Sequence, residues 1–183
     1  EIDKNDFNSL ILPRKTVFQL CSLLAETSDQ LTMQSSENKI KFTLGKMKLI
    51  SKVIDGKFPD YKKVVPTSND KILTVPSKDF VSSIERVASV SLDRKEGVKL
   101  LINKENVQLS VNSANSGDGN EKINAKFNAD NLNISFNSKY LIDVASQLDG
   151  NNIEMFLNDS GSPALIKDPG DFDSIFVVMP MKG

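Results

Sequence analysis

The sequence predicts an α+β fold in which helices pack on antiparallel sheets. Within its 183 residues, one strand, one helix and three further strands follow each other in the same order three times. The unit recurs at a spacing of roughly 60 residues, which is the mark of an internal repeat. One such unit closes a core poorly, whereas two units make a domain with two helices packed on sheet. The chain therefore reads as one and a half repeated domains.

Three amphipathic segments predict the helices. They run roughly over 13–26, 77–91 and 138–148, each with apolar side chains at helical spacing. Pro13 suits the start of the first helix. Ser77 and Ser138 are predicted N-caps of the other two. The apolar stripe predicted for the first helix consists of Val17, Leu20, Cys21 and Leu24.

Apolar or alternating runs separated by turn residues predict the strands. Short apolar runs precede the helices at 10–12, 72–75 and 132–136. The strands after the helices are predicted at 31–35, 39–44, 47–54, 98–102, 107–112, 123–127, 153–157, 164–167 and 175–179. The segment Gly117-Asp118-Gly119 is interpreted as a turn between strands, and Asp118-Gly119-Asn120 as hairpin-turn chemistry.

A domain break is predicted near 56–61, where Gly, Pro and polar residues interrupt the pattern. Residues 1–61 would then form half a domain, and residues 62–183 a complete domain of two units. The net charge of −1 does not by itself indicate a nucleic-acid partner. Any such role would need local positive charge, and the candidates on the predicted helices are Arg14, Lys15, Lys78, Arg86 and Lys139. Solvated helix faces are the alternative explanation for these charges.

The composition argues against catalysis. The chain has no His and one Cys, Cys21, which excludes the Ser-His-Asp triad, the Cys-His dyad, His-containing zinc sites and an internal disulfide. The clustered carboxylates Asp168, Asp171 and Asp173 match no calcium-loop spacing and are interpreted as a solvated turn. There is no P-loop and no dinucleotide-binding glycine motif. We therefore expect a protein that is not an enzyme, with no cofactor and no metal site, in a reducing intracellular compartment.

Two segments are unusual for a plain scaffold: the aromatic connection around Phe58-Pro59-Asp60-Tyr61, and the apolar ending Val177-Val178-Met179-Pro180-Met181. Together with Pro13-Arg14-Lys15 and Phe136-Asn137-Ser138-Lys139-Tyr140, they resemble the bacterial DNA sliding clamp family, the beta subunits of DNA polymerase III. The resemblance runs through the whole chain and identifies it as the C-terminal half of a clamp. Residues 1–61 resemble the C-terminal half of the middle domain, and residues 62–183 the complete third domain.

The resemblance implies a function in DNA replication. Two clamp subunits close head to tail into a homodimeric ring around duplex DNA, which they contact without reading sequence. The ring is a processivity factor that tethers the DNA polymerase III alpha subunit, the clamp loader and repair polymerases through short peptides. Such a protein is cytoplasmic and associated with the nucleoid. A protein-interaction scaffold of the same α+β architecture, with no role on DNA, is the alternative.

The resemblance also assigns residues to three surfaces. The DNA-facing pore would hold the five cations named above, and the dimer interface would include Ser89 and Val90. Partner peptides would enter a hydrophobic pocket between the middle and third domains, lined by Pro59, Lys63, Val64, Asn137, Tyr140, Pro163, Val177, Met179, Pro180, Met181 and Lys182. One wall of that pocket comes from a stretch upstream of residue 1 in the family, so we expect this chain to bind peptide more weakly than an intact subunit.

Overall fold

The computed structural model describes residues 9–91, 97–113 and 117–181. The chain divides into two compact units, Glu1–Asp60 and Tyr61–Gly183. Each unit is described separately below.

The first unit is a small antiparallel sheet with one helix. Its sheet has the order β1-β2-β3, and an isolated bridge joins Ile11 to Ile54. The elements are α1 (Arg14–Ala25), β1 (Leu31–Ser35), β2 (Lys39–Leu44) and β3 (Met47–Lys52). Alternation along β2 buries Ile40, Phe42 and Leu44, as the sequence pattern predicts.

Helix α1 does not bury the predicted stripe. Thr16 is its buried residue, and the Thr16 Oγ1 lies 2.7 Å from the Ser51 Oγ on β3. Val17 and Leu24 remain 42% and 40% exposed, and Cys21 is exposed as well. The helix contacts the sheet through Thr16, beside the stripe, while three of the four stripe residues are exposed and Leu20 is half-buried.

The second unit contains two helices and nine strands within its described residues. A 3-10 turn, Tyr61–Lys63, precedes them. The elements are β4 (Lys71–Pro76), α2 (Ser77–Ala88), β5 (Gly97–Ile102), β6 (Asn106–Ser113), β7 (Gly117–Asn124), β8 (Lys126–Phe127), β9 (Leu132–Asn137), α3 (Ser138–Ala145), β10 (Asn152–Leu157), β11 (Ala164–Asp168) and β12 (Asp171–Val178). They form a sheet of order β12-β11-β10-β4-β8 and a second sheet of order β7-β6-β5-β9, both antiparallel.

The two repeats of this unit exchange their leading strands. Strand β4 precedes α2 but pairs with β10 of the other repeat, with Val75 opposite Ile153. Strand β9 precedes α3 but pairs with β5, with Leu100 opposite Ile134. Each sheet therefore contains strands from both repeats.

The core lies between the helices and the inner faces of the two sheets. Helix α2 contributes Phe80, Ile84 and Val87, and α3 contributes Leu141 and Ala145. The strands add alternate residues, such as Val98, Leu100 and Ile102 of β5. The predicted α+β class with helices on antiparallel sheets is confirmed.

The structure corrects the prediction for residues 117–127. The Gly-Asp-Gly segment is not a turn but the start of β7, and the predicted strand 123–127 is divided between β7 and β8. A Cβ atom built on Gly119 would lie 2.8 Å from the carbonyl oxygen of Val87 in α2. Glycine stands in this strand because the helix backbone passes directly over it.

The predicted serine N-caps are also wrong. Ser77 and Ser138 are the first residues of α2 and α3, and the N-caps are Pro76 and Asn137 in extended conformations. The Asn137 side chain accepts a hydrogen bond of 2.9 Å from the Lys139 N–H. In α3 the side chain of Asn137, the residue before Ser138, accepts from a free N–H group of the first turn, so the cap lies one position earlier than predicted.

Candidate partner and DNA surfaces

The chain after β12 crosses from one sheet to the edge of the other. Met179 is 62% exposed, while Pro180 and Met181 are half-buried. The Met181 N–H donates a 2.7 Å hydrogen bond to the Ser135 carbonyl of β9. A Cβ atom on Gly97 would lie 3.0 Å from the Met181 sulfur, so the glycine leaves room for that side chain. The tail is thus held at Met181 and exposes Met179.

A groove of about 690 Å³ runs beside this tail, and we call it the tail groove. It is lined by Lys99, Asn133, Ile134, Ser135, Ser160, Gly161, Met179, Pro180 and Met181. Its wall is thus largely apolar at the tail and polar along the strands, a combination that suits a peptide with apolar anchors and a polar backbone.

The structure brings three of the predicted pocket residues, Met179, Pro180 and Met181, to the tail groove. Tyr140 is 57% exposed in the first turn of α3, three residues after the N-cap Asn137. Lys63 is exposed and is the last residue of the 3-10 turn. Val64, the residue after it, is also 57% exposed.

Pro163 and Val177 are half-buried at the adjoining ends of β11 and β12. Pro59 is exposed in the first unit. Lys182 lies outside the described residues.

The prediction missed the strand side of the tail groove. Lys99 and Ser135 are directly opposite each other on β5 and β9, and Asn133 is two residues from Ser135 on the same sheet face. Alternation of polar residues along β9 was the available signal. The pairing of β5 with β9 across the repeats could not be read from the order of the strands in the sequence.

The predicted DNA-facing cations differ in how they are engaged. The Arg86 guanidinium contacts the Glu121 carboxylate with both Nε, at 3.0 Å, and Nη2, and it also donates to the Ser83 Oγ at 3.2 Å. This hydrogen bonding is the main cause that raises the pKa of Arg86 and lowers the pKa of Glu121 from their ordinary values. Arg86 is therefore largely matched by a carboxylate on β7.

The other four cations lie in the first turns of the helices. Arg14 lies 5.1 Å from the centroid of the Phe18 ring, a cation–π distance. Lys15, Lys78 and Lys139 are exposed, and none of the three forms an ion pair within the described residues. Of the five predicted cations, these three lysines are the ones that the described residues leave most open to a phosphate.

The two predicted dimer residues differ in exposure. Ser89 is exposed and its hydroxyl donates to the Arg86 carbonyl at 2.7 Å. Val90 is half-buried and packs against the core. A groove of about 610 Å³ between the end of α2 and the start of α3 is lined in part by Ser89 and Lys139. A charge at Val90 would therefore disturb the core as well as any surface.

The carboxylate cluster is not a solvated turn at its first member. Asp168 is 4% exposed, and its two oxygens accept 2.8 Å hydrogen bonds from the N–H groups of Gly150 and Gly170. Asp171 and Asp173 are exposed in β12, as expected. Within the described residues, no group of three or more side chains is placed to hold a metal ion. No helix in the same part of the chain is long and apolar enough to cross a membrane.

Two family models match the chain in tandem. Residues 1–60 match the central domain of the DNA polymerase III beta subunit, and residues 62–182 match its C-terminal domain.

Curated relatives named beta sliding clamp match almost the whole chain. The beta sliding clamp of Caulobacter vibrioides strain NA1000 is 35% identical over 173 residues, which is 94% of this chain and 46% of the relative. The beta sliding clamp of Escherichia coli strain K12 is 31% identical over 175 residues, covering 96% of this chain and 48% of the relative. The chain spans about half the length of the curated relatives it matches.

Solved structures give the same result. The crystal structure of a Bartonella birtlesii sliding clamp bound to griselimycin superposes with a TM-score of 0.89 at 39% identity, covering 97% of this chain and 48% of that chain. Sequence and fold thus agree over both units. The chain has the clamp fold and belongs to the bacterial DNA polymerase III beta subunit family, the beta sliding clamps.

Proposed function

We propose that this chain is part of a DNA replication processivity clamp, which encircles duplex DNA and tethers its partners through short peptides without catalysing a reaction. Residues 1–61 would be the C-terminal half of the middle clamp domain, and residues 62–183 the third domain. The tandem family matches and the two compact units support this division. A protein with this function works on the chromosome, in the bacterial cytoplasm.

The physical basis of processivity is topological. A closed ring stays on DNA even when each contact breaks, so weak phosphate contacts that carry no sequence information suit sliding. Lys15, Lys78 and Lys139 would provide them on a protein whose net charge is only −1. Arg86 would contribute less, because Glu121 already neutralises much of its charge.

The tail groove is the observation that carries the peptide-binding function. A large apolar side chain, Met179, is held in solvent at the edge of a groove by a tail that is fixed at Met181. Apolar anchors of a peptide gain most from such a site, since burial of an exposed methionine removes apolar area from water on both partners. The griselimycin complex of the Bartonella birtlesii clamp supports a ligand site in this family. The partners would be the DNA polymerase III alpha subunit, the clamp loader and repair polymerases.

Titration of a fluorescent peptide of the Gln-Leu-x-Leu-Phe type, followed by anisotropy, tests this site. We expect saturable binding that weakens at least roughly tenfold in Met179→Ala, equivalent to about 1.4 kcal/mol. Met33→Ala is the matched control, because Met33 is also exposed (42%) but lies on β1 of the first unit. Equal weakening by both substitutions, or none by Met179→Ala, would contradict the assignment.

Charge reversal tests the DNA contact and separates the clamp from a scaffold without a DNA role. In the full-length ring, Lys15→Glu with Lys139→Glu should shorten retention on circular DNA. The pair Lys46→Glu with Lys48→Glu makes the same charge change on exposed residues of the β2–β3 hairpin. Peptide binding with no retention on DNA in the unmodified ring would favour the scaffold.

The head-to-tail dimer is best tested at Ser89. Ser89→Glu places a charge on an exposed residue, and we expect sedimentation of the full-length protein to shift toward monomer. Val90→Asp should also weaken the dimer, but it must be compared at matched thermal stability, since Val90 packs against the core. An unchanged dimer in Ser89→Glu would remove this residue from the proposed interface.

A further inference from the structure

The side chain of Asn69 ties together the two ends of one hairpin loop. Asn69 stands two residues before β4, and its Nδ2 donates to the carbonyl oxygens of Phe156 and Pro163, each at 2.8 Å. Phe156 is near the end of β10, and Pro163 directly precedes β11. The amide therefore closes the base of the loop 158–163.

The orientation of this amide is fixed by its partners. Two carbonyl oxygens need two donors, which only the NH₂ end of the side chain provides. The Oδ1 is buried and has no hydrogen-bond partner within the described residues. A buried acceptor without a partner is uncommon and unfavourable. We therefore attribute the structural role of Asn69 to the two hydrogen bonds that its Nδ2 donates, and not to its Oδ1.

The loop that Asn69 holds borders the tail groove. Strand β11 pairs with β12 so that Ala164 faces Val178 and Leu165 faces Val177. Continuation of this register by one residue would set Pro163 opposite Met179. Ser160 and Gly161 of the same loop line the tail groove directly.

We infer that Asn69 is a positioning residue for the tail groove: it fixes Pro163 and the loop 158–163 against Met179. This inference rests on the proposed peptide-binding function. Asp159 orders the tip of the loop, since its Oδ1 accepts from the N–H groups of Gly161 and Ser162 at 2.8 Å. Asn69 fixes where that ordered loop stands relative to the tail.

Asn128 provides a matched control. Its Oδ1 accepts from the Ile72 N–H at 2.7 Å, and its Nδ2 donates to the Asp70 carbonyl at 3.1 Å. It therefore makes two hydrogen bonds to the same stretch of chain that carries Asn69. It does so from beside β8, at the opposite edge of the sheet from β12.

The experiment compares Asn69→Ala, Asn69→Asp and Asn128→Ala in this chain. Peptide affinity is measured by anisotropy, thermal stability by circular dichroism, and local opening by hydrogen exchange with mass spectrometry. We expect both Asn69 variants to weaken peptide binding by roughly fivefold or more and to speed exchange in 158–163. Asn69→Asp should be the worse of the two, because it sets a carboxylate against two carbonyl oxygens. Asn128→Ala should lower the Tm comparably but leave affinity within about twofold of the unmodified chain.

The two possible failures are distinguishable. Unchanged affinity in Asn69→Ala, or equal loss in Asn128→Ala, would overturn the inference while leaving the proposed function intact. If neither this chain nor the full-length protein binds peptide, the proposed function fails. Hydrogen exchange then still tests whether Asn69 positions the loop. Unchanged exchange in 158–163 of the Asn69 variants would overturn the inference as well.

Discussion

Replacing Asp168 with alanine should cost the second unit a large part of its stability. The side chain is 4% exposed and joins two separate turns, through Gly150 after α3 and Gly170 between β11 and β12. Gly150 packs so closely that a Cβ atom there would overlap the Asp168 carboxylate. The alanine variant leaves both N–H groups without their acceptor.

The magnitude follows from the surroundings of the two donors. A hydrogen bond to a charged acceptor contributes about 1.5 kcal/mol or more. The Gly170 N–H belongs to an exposed residue and regains water, so most of the loss comes from the half-buried Gly150. We expect a loss of about 2 kcal/mol in the free energy of unfolding. For a unit of this size that corresponds to a fall of about 8 °C in Tm.

Tyrosine fluorescence during urea unfolding isolates this unit. The chain has two tyrosines and no tryptophan, and both Tyr61 and Tyr140 belong to the second unit. Asp171→Ala is the control, since Asp171 is exposed in the same hairpin, where its carboxylate accepts hydrogen bonds from the Asp173 N–H at 2.9 Å and from Ser174. Equal urea midpoints for the Asp168 and Asp171 variants would refute the reasoning that burial of the carboxylate decides the effect.

Three further predictions concern acid, packing and capping. The hydrogen bond from Arg86 is the main cause that lowers the folded-state pKa of Glu121 from its ordinary value of 4.5. The stabilisation from Glu121 is therefore present above pH 4.5 and is lost as the pH falls through the folded-state pKa. The urea midpoint of the unmodified chain should decrease as the pH is lowered below 4.5, and it should decrease less steeply in Glu121→Gln. Gly119→Ala should lower the Tm, because its Cβ would meet the Val87 carbonyl at 2.8 Å, whereas Gly161→Ala should be tolerated. Asn137→Ala should lose about 1 kcal/mol of stability with its cap, while Asn137→Ser keeps a cap and, if the amide contacts peptide, still weakens binding in the anisotropy titration.

Periodicity was enough to predict most of the fold. The strand Lys39–Leu44 has the predicted bounds because its apolar residues alternate and one face is buried. The same reasoning failed at Gly117–Asn124, where Gly119 suggests a turn in the sequence but allows the close approach of α2 in the structure. The local sequence pattern predicts which face of a segment is buried, but it does not predict which other element packs against that segment.

The sites divide in the same way. The exposed tail at Met179 was visible in the sequence as an unusual apolar ending in which two methionines flank a proline. Asp168 was misread because its partner Gly150 is 18 residues away in the chain, and Asn69 was not noticed because its acceptors are 87 and 94 residues away. Contacts that join distant segments leave no mark on the residues that flank them.

The exchange of leading strands between the two repeats has a consequence for how the second unit folds. Because β4 pairs with β10 and β9 pairs with β5, cutting the unit between its repeats would remove a strand from both sheets. Neither repeat is an autonomous folding module, in contrast to the stacked units of a solenoid. The strand pairings between the repeats also join residues far apart in sequence, a topology that slows folding. Because each sheet contains strands from both repeats, we expect the two halves of the second unit to unfold together.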